Sequence, residues 1–273
     1  MALESHAVGA IALLMLLAQP ASPKPQAEAG PVTFEVAAIK RSANLDAGGT
    51  LGLLPGGRFR AINFDARTLV AIAYRTKPPR NLAPSQIIGG PDWMSQERYD
   101  INAKIGPELA ATIDRADRDP NLMPKLVQSL LADRFKLALH HDVHNMPVYA
   151  LVVAKKDGTF GPRLQRSTAD CEKDRNKCRI LSVGGGGHFI AGHITLEALA
   201  GMLSGPAGRL VFDRTGLTES FDVDIEYSTD QAPSDAPSIF GAVQEQLGLK
   251  LDFVREPVDV VVIDHVEKSP TEN

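Results

Sequence analysis

Carboxylates alternate with hydrophobic residues in the segment SFDVDIEY, which covers residues 220–227. Because side chains along a strand point to opposite faces in turn, Asp222, Asp224 and Glu226 would share one face. Such a face could bind a cation, or supply paired carboxylates for general acid and base catalysis. It could also be the solvated side of a half-buried antiparallel strand, which is the common meaning of this alternation. We favour the solvated strand and keep Asp222 as a candidate binding residue.

Another carboxylate, Asp213, begins the segment DRTG, which looks superficially like the active-site triplet of aspartic proteases. Arg214 interrupts this triplet, and such proteases need two aspartates that share a proton. We therefore treat Asp213 as a candidate binding residue. The alternative to a binding role is a hydrolase of an envelope or extracellular polymer, with Asp213, Asp222 and Asp224 as its candidate acids.

The segment HHDVH contains weak candidates for a metal site. On a strand, His140 and Asp142 would share a face, and His144 would lie near them. A polar strand end that leads into a turn explains the same residues, and their spacing is loose for a metal site. His140, Asp142 and His144 therefore remain weak metal candidates, and we expect no cofactor.

The two cysteines of the chain, Cys171 and Cys178, close a short polar loop. In an oxidising compartment such a pair most simply forms a disulfide. The alternative is a zinc site that His188 and His193 would complete, but this spacing matches no standard zinc finger. We expect the disulfide.

Motifs of the common enzyme classes were not found in the sequence. It has no GxSxG, HExxH or GxxxxGK segment, and its GGGG run at 184–187 lacks the lysine of a phosphate-binding loop. The single tryptophan, Trp93, follows GGPD in a segment that predicts a stiff turn. Trp93 could anchor a ligand, but tryptophan is usually buried, so we expect it to fill the gap between two structural units.

Two halves of the chain carry similar segments in the same order. The segment from Gly56, GGRFRAINFDARTLVAIAY, resembles the segment from Gly186, GGHFIAGHITLEALAGMLS. RYDINAKI stands in the first half where SFDVDIEY stands in the second. LADRFKLALHHDVHNMPVYALVVAK, from Leu131, parallels EQLGLKLDFVREPVDVVVIDHVEK, from Glu245. The shared order indicates a duplicated unit. The first copy keeps only Asp100 of the three alternating acids, which favours a solvated strand over an acidic site.

Each unit is predicted to run strand, helix, strand, strand, helix and hairpin. This order predicts an α+β fold with mostly antiparallel or mixed sheets. We expect residues 34–160 to form the first unit and residues 188–273 to form the second. Residues 161–187 would then be a linker that carries the cysteine pair and the glycine run.

An apolar run from Val8 to Ala18 is followed by a tract rich in Pro, Ala and Ser, the layout of a secretory signal peptide. The basic residues that usually precede such a run are missing, but the prolines that follow it argue against a core helix. We expect a signal peptide at 1–22, a disordered linker at 23–33, and a periplasmic or secreted protein.

The composition is that of an ordinary globular protein, with 44% hydrophobic and 23% charged residues. A formal net charge of -4 gives no reason to expect nucleic-acid binding. Because the sequence has no run of about eighteen or more apolar residues, we expect no stable transmembrane span.

Several segments together resemble a soil-associated family of uncharacterised bacterial proteins that share a domain of unknown function. They are GGPDWM, YDINAK, LLADRFKL, PVYALVVAK, VFDRTGL, EQLGLKL and VIDHVEKSPTEN. The resemblance runs from Phe34 to Asn273, with one departure at Glu219, where the family usually has a glycine. It implies a secreted or periplasmic protein, sometimes joined to membrane metallopeptidases of the β-lactam-sensor type, and it supplies no catalytic residues.

The repeat also resembles, in pattern only, the short N-terminal domains of secretins and TonB-dependent receptors. Those small α/β modules bind partner proteins, so this likeness implies a structural assembly role. We favour a binding or sensing module of the cell envelope, more a binding protein than an enzyme. Its expected partner is an envelope protein or a metallopeptidase-type sensor.

Export with a disulfide between Cys171 and Cys178 is the first expected outcome. Mass spectrometry of the protein purified from its native host should find no free thiol and a chain without residues 1–22, because signal peptidases remove such segments. A chain that keeps Met1 and has two free thiols would contradict export.

Overall fold

The computed structural model describes residues 32–43, 48–76, 80–107, 109–110, 121–182, 187–229 and 234–268. The predicted signal peptide at 1–22, and the predicted linker at 23–33 except its last two residues, lie outside the described residues. In the part that is described, no helix is both long and apolar enough to cross a membrane.

Strands and short helices alternate along the chain. The first half contains β1 (Phe34–Arg41), β2 (Thr50–Leu54), β3 (Arg58–Asp65), α1 (Ala66–Ala73), β4 (Ile87–Gly89), α2 (Trp93–Gln96), β5 (Arg98–Ile105), α3 (Leu122–Arg134) and β6 (Ala138–Val153). The second half contains β7 (Leu164–Arg166), β8 (Ile180–Ser182), β9 (His188–Thr195), α4 (Leu196–Leu203), β10 (Val211–Asp213), β11 (Ser220–Glu226), α5 (Ile239–Leu247) and β12 (Leu249–His265).

The strands form three sheets of four strands each in the described chain. The first sheet has the order β1-β5-β3-β2 and the second sheet has the order β7-β11-β9-β8, and both are antiparallel. The central sheet has the order β10-β6-β12-β4, in which β6 and β12 are antiparallel while β10 and β4 pair in parallel. The α+β class with antiparallel and mixed sheets is therefore confirmed, and corresponding strands occupy the same positions in the first and second sheets.

Local sequence fixes where the helices begin and end. The Asp65 carboxylate accepts a hydrogen bond from the Thr68 amide at 2.8 Å at the start of α1. The Thr195 hydroxyl accepts one from the Ala198 amide at 3.2 Å at the start of α4. Such caps satisfy amides that the helix itself leaves unpaired. At the C-terminal end of α5, Gly248 has a φ of 68°, the left-handed conformation that ends many helices.

Each half has its own hydrophobic core, and the central sheet contributes to both. Helices α1 and α3 pack with the first sheet, and Val261 and Ile263 of β12 join their core. Helices α4 and α5 pack with the second sheet, and Leu151 of β6 and Leu249 of β12 join theirs. Because β12 is part of both cores, it holds the two halves together.

The hairpin predicted at the end of each half is replaced by one long strand. β12 continues from Leu249 to His265 and pairs with β6, which is also continuous. A new strand was expected to begin at Pro257, but this proline lies inside β12, opposite Asn145 of β6. Neither β10, which pairs with residues 149–151 of β6, nor β4, which pairs with residues 261–263 of β12, reaches this point. Proline lacks an N–H group, so a strand tolerates it where only one side has a neighbour.

The predicted linker at 161–187 contains two strands of the second sheet. β7 pairs with β11, and β8 pairs with β9. These strands have three residues each, too short for an alternating pattern to reveal them. Most of this segment is therefore part of the second half, whereas the sequence predicted a connection between units.

Trp93 is half-buried against the first core. It begins α2 directly after a turn in which Gly89 and Gly90 have φ values of 73° and 79°. Its ring stacks on Phe135, with the ring centroids 6.5 Å apart. The turn aims the indole at the end of α3, so Trp93 packs within the first half, whereas the sequence predicted a position between the two units.

Replacement of Trp93 by alanine should lower the free energy of unfolding by about 2 to 3 kcal/mol, because the indole loses its contact with Phe135 and leaves a partial cavity. Denaturation in urea measures the change. The matched control is Phe253→Ala, since this aromatic side chain is 61% exposed and its loss should cost about 0.5 kcal/mol. Equal stability of the two variants would contradict a packing role for Trp93.

Candidate functional site

The outer face of the second sheet carries the alternating carboxylates and lies under a loop. As the alternation predicts, the apolar residues of β11 are buried while Asp222 and Asp224 face the other side of the sheet. Residues 167–179, which connect β7 to β8, cover this side; we call them the disulfide loop. A disulfide joins Cys171 to Cys178 in this loop, as the sequence predicts.

Local hydrogen bonds give the disulfide loop its shape. The Asp170 carboxylate accepts bonds from the amides of Glu172 and Lys173, at 3.1 and 3.3 Å, and from the Lys173 ammonium group at 2.8 Å. The bond from the Lys173 side chain is the largest cause of a lowered pKa of Asp170. The Asp174 carboxylate accepts a bond from the Asn176 amide at 3.0 Å, at the start of a short 3-10 turn.

A glycine in β9 allows the disulfide loop to approach the sheet. The Gly192 amide donates to the Arg179 carbonyl at 3.0 Å. A Cβ atom at Gly192 would lie 1.9 Å from the Lys177 carbonyl oxygen, so any other residue would displace the loop. The corresponding residue of β3 in the first half is Ile62.

Next to Gly192, an irregularity in the pairing of β9 with β11 is held by an aspartate. His193 has a φ of 55°, and its amide donates to the Asp222 carboxylate at 2.9 Å. The first half repeats this arrangement, since Asn63 has a φ of 61° and its amide donates to the Asp100 carboxylate at 3.1 Å. Such bulges re-aim a side chain. The carboxylate shared by the two halves therefore stabilises the bulge.

A cleft of about 800 Å³ lies between the disulfide loop and the outer face of the second sheet. This volume is within the range of small-molecule sites. The charged side chains that line the cleft are Arg163, Lys173, Lys177, Arg179, Asp170, Asp174, Asp222 and Asp224.

The carboxylates of the cleft already have partners. Asp170 and Asp174 bind within the disulfide loop, and Asp222 binds the bulge. Asp224 contacts the imidazole Nε2 atom of His188 at 2.8 Å and the guanidinium group of Arg163 at 3.5 Å. These acids therefore shape the cleft and balance its charge.

Two cations of the cleft lack an acidic partner. In the described part of the chain, neither Lys177 nor Arg179 forms an ion pair, and Arg179 donates only to the side-chain oxygen of Asn176, at 3.0 Å. Beside them lies an apolar pair, Leu181 and Ile190, which are neighbours across β8 and β9 and are 51% and 39% exposed. The charge that is available to a ligand is positive, and it lies beside an apolar surface.

Two of the predicted binding residues lie elsewhere. Asp213 is in β10 of the central sheet, where its carboxylate accepts bonds from the Thr215 amide at 2.9 Å and the Thr215 hydroxyl at 2.7 Å. Such bonds stabilise a turn. Trp93 packs on the first core, so of the binding candidates only Asp222 lines the cleft.

The weak metal candidates of β6 form two separate contacts. His140 pairs with Asp264 at 2.9 Å, and His144 pairs with Asp142 at 3.0 Å. His140, Asp142 and His144 are therefore not brought together as one group of ligands in the described structure.

Sequence reasoning missed Lys177, Arg179 and Gly192. The two cations are ordinary surface residues in a polar loop, and only the fold brings them over the sheet. Gly192 did leave a signal, because it replaces Ile62 within an otherwise matching strand. A glycine where the similar strand of the other half has an apolar residue indicates that another segment approaches there.

These features define an α+β protein in which two sheets of the same strand order flank a mixed central sheet. A cleft lined by charged and apolar side chains lies on the outer face of the second sheet. A family model described as "Protein of unknown function (DUF3738)" matches residues 67–266. The chain therefore belongs to this family of uncharacterised domains. No curated protein and no solved structure matches the chain.

Replacement of Gly192 by alanine should displace the disulfide loop, because the added Cβ overlaps the Lys177 carbonyl oxygen. We expect a loss of about 1 to 3 kcal/mol in the free energy of unfolding, and faster proteolysis within residues 167–179. The matched control is Gly52→Ala in β2, where the added Cβ meets no atom within 4 Å. A Gly192→Ala variant that is as stable and as protease-resistant as the control would contradict this packing.

Proposed function

We propose that this protein is an exported, non-catalytic binding module of the cell envelope, with the cleft beneath the disulfide loop as its ligand site. The observation that carries the proposal is the cleft of about 800 Å³ between the loop and the second sheet. Concave sites of this size with a few polar groups are the usual form of a small-molecule site.

The lining of the cleft favours an anion with an apolar part. Lys177 and Arg179 can donate charge-assisted hydrogen bonds, and a carboxylate or sulfate group is a suitable acceptor. Leu181 and Ile190 expose hydrocarbon beside these cations, and a bound alkyl chain would remove it from water. An amphiphilic anion therefore matches both features of the lining.

Binding is favoured over hydrolysis by what the candidate acids already do. Asp222 stabilises the bulge, Asp224 is held by His188 and Arg163, and Asp213 belongs to a turn outside the cleft lining. A hydrolase would need two of these acids close to one scissile bond. No observation favours the secretin-like assembly role.

Export is supported by the apolar run from Val8 to Ala18 and by the disulfide, which is typical of oxidising compartments. The identical order of strands in the first and second sheets supports an origin by internal duplication. The soil association, and a partner such as an envelope protein or a metallopeptidase-type sensor, remain predictions from the resemblance.

Calorimetric titration with sodium octanoate tests the ligand class, because octanoate combines a carboxylate with an alkyl chain. The parent protein should bind octanoate, and the double variant Lys177→Gln, Arg179→Gln should bind it about 10-fold more weakly or worse, because both charge-assisted bonds are lost. Octyltrimethylammonium, which reverses the charge, should not bind.

A second double variant, Lys155→Gln, Lys156→Gln, is the matched control. It also removes two positive charges, but these exposed residues do not line the cleft, so its affinity should equal that of the parent. Equal affinity of both double variants, or equal binding of the two amphiphiles, would show that the cleft is not the site of an anionic ligand.

A further inference from the structure

Two cysteine sulfur atoms of the disulfide loop lie close to an imidazole nitrogen of the neighbouring strand β9. The Sγ atoms of Cys171 and Cys178 and one ring nitrogen of His193 all lie within 4.8 Å of one another. Among the described residues, no other group of three potential metal-ligating side chains of His, Cys, Asp or Glu comes this close together. The cysteines belong to the disulfide loop and the histidine belongs to β9, so the packing of the loop on the sheet brings the three together.

The imidazole of His193 has an unused nitrogen. Its Nδ1 atom is buried and has no hydrogen-bond partner. A buried polar atom without a partner is costly, and native proteins rarely leave one without a reason. A ligand to this nitrogen would supply the missing interaction.

The position of His193 is fixed from both sides. Its amide donates to the Asp222 carboxylate, and its left-handed φ of 55° departs from the regular strand conformation. The neighbouring Gly192 amide holds the disulfide loop through the Arg179 carbonyl. The bulge and the loop thus set the distance between the imidazole and the two sulfur atoms.

The first half lacks this set of ligands although it has the same bulge. Asn63 occupies the position of His193 with nearly the same φ, at 61°, and Ile62 occupies the position of Gly192. Since Asn63 supports the bulge equally well, the fold does not require a histidine there. Backbone geometry therefore does not by itself account for the histidine.

We propose that Cys171, Cys178 and His193 form a zinc site when the disulfide is reduced. A dithiol reductant transfers two electrons and two protons to the disulfide, and is itself oxidised to a disulfide. Zn²⁺ then binds the two thiolates and one nitrogen of the neutral imidazole, and the two thiol protons are released to water. Water completes the four ligands that Zn²⁺ usually takes.

Thiolate and imidazole ligands select zinc over calcium or magnesium, which prefer oxygen. The site depends on the redox state because a disulfide lacks the thiolate charge that binds the metal. Either link, the disulfide or the zinc ion, ties the ends of the same loop together. The loop would therefore stay over the second sheet in both redox states.

Titration of the full chain with Co²⁺ and Zn²⁺ tests the site. The protein is reduced with dithiothreitol, which is then removed without oxygen. Reduced parent protein should bind one Co²⁺ per chain with a sulfur-to-cobalt charge-transfer band, and Zn²⁺ should displace it. Unreduced protein should show neither the band nor Zn²⁺ binding.

The decisive variant is His193→Asn, which installs the residue that the first half uses at the same bulge and so should preserve the fold. Mutation of residues that only hydrogen-bond to a metal ligand typically lowers the metal affinity about 10- to 100-fold. Loss of the ligand itself should therefore weaken Zn²⁺ binding about 100-fold or more. The matched control is His188→Gln, which removes the histidine that pairs with Asp224 and should leave Zn²⁺ affinity unchanged. No metal binding by reduced parent protein, or equal affinity of the two variants, would overturn the proposal.

Discussion

The antiparallel pairing of β6 with β12 is the contact on which the rest of the structure depends. These two strands run through the middle of the molecule, and each of the two cores closes against part of this pair. Val261 and Ile263 of β12 complete the first core, while Leu249 of the same strand belongs to the second. The short strands β4 and β10 then add to its outer edges in parallel. A break in this pairing would expose both cores at once, since neither half has another strand to replace it in the described structure.

The two halves share a framework but not a surface. On the outer face of the first sheet, Arg58 pairs across the strands with Lys104, and Arg60 lies beside Asn102, so this face is basic. The equivalent positions of β11 carry Asp224 and the neighbouring acids, and the disulfide loop brings its own cations over them. Where the two halves have different exposed residues, the charge of the sheet surface and its exposure to solvent differ. The buried residues keep the sheets in place in both halves. The outer faces and the loop between the edge strands are therefore where the two halves differ.

Patterns of local origin could be read from the sequence, and contacts between distant segments could not. The alternation of β11 predicted correctly which residues are buried, and the spacing of Cys171 and Cys178 predicted the disulfide. Pro257 misled the prediction of β12, because a proline inside a strand looks like a break unless the neighbours of that strand are known. The cleft could not be predicted from the sequence for a different reason. Lys177 and Asp224 line the same cleft only because the loop folds over the sheet, and neither residue has a local pattern that predicts this.

The exchange of short strands between the halves has a kinetic consequence. β4 comes from the first half but pairs with β12, and β10 comes from the second half but pairs with β6. These contacts join segments that are far apart along the chain, and such non-local contacts slow folding because the intervening chain must first be ordered. The first half cannot complete its core during synthesis, since two of its buried residues, Val261 and Ile263, are made more than a hundred residues after β5. β12 must therefore be made before the first sheet can bury its inner face.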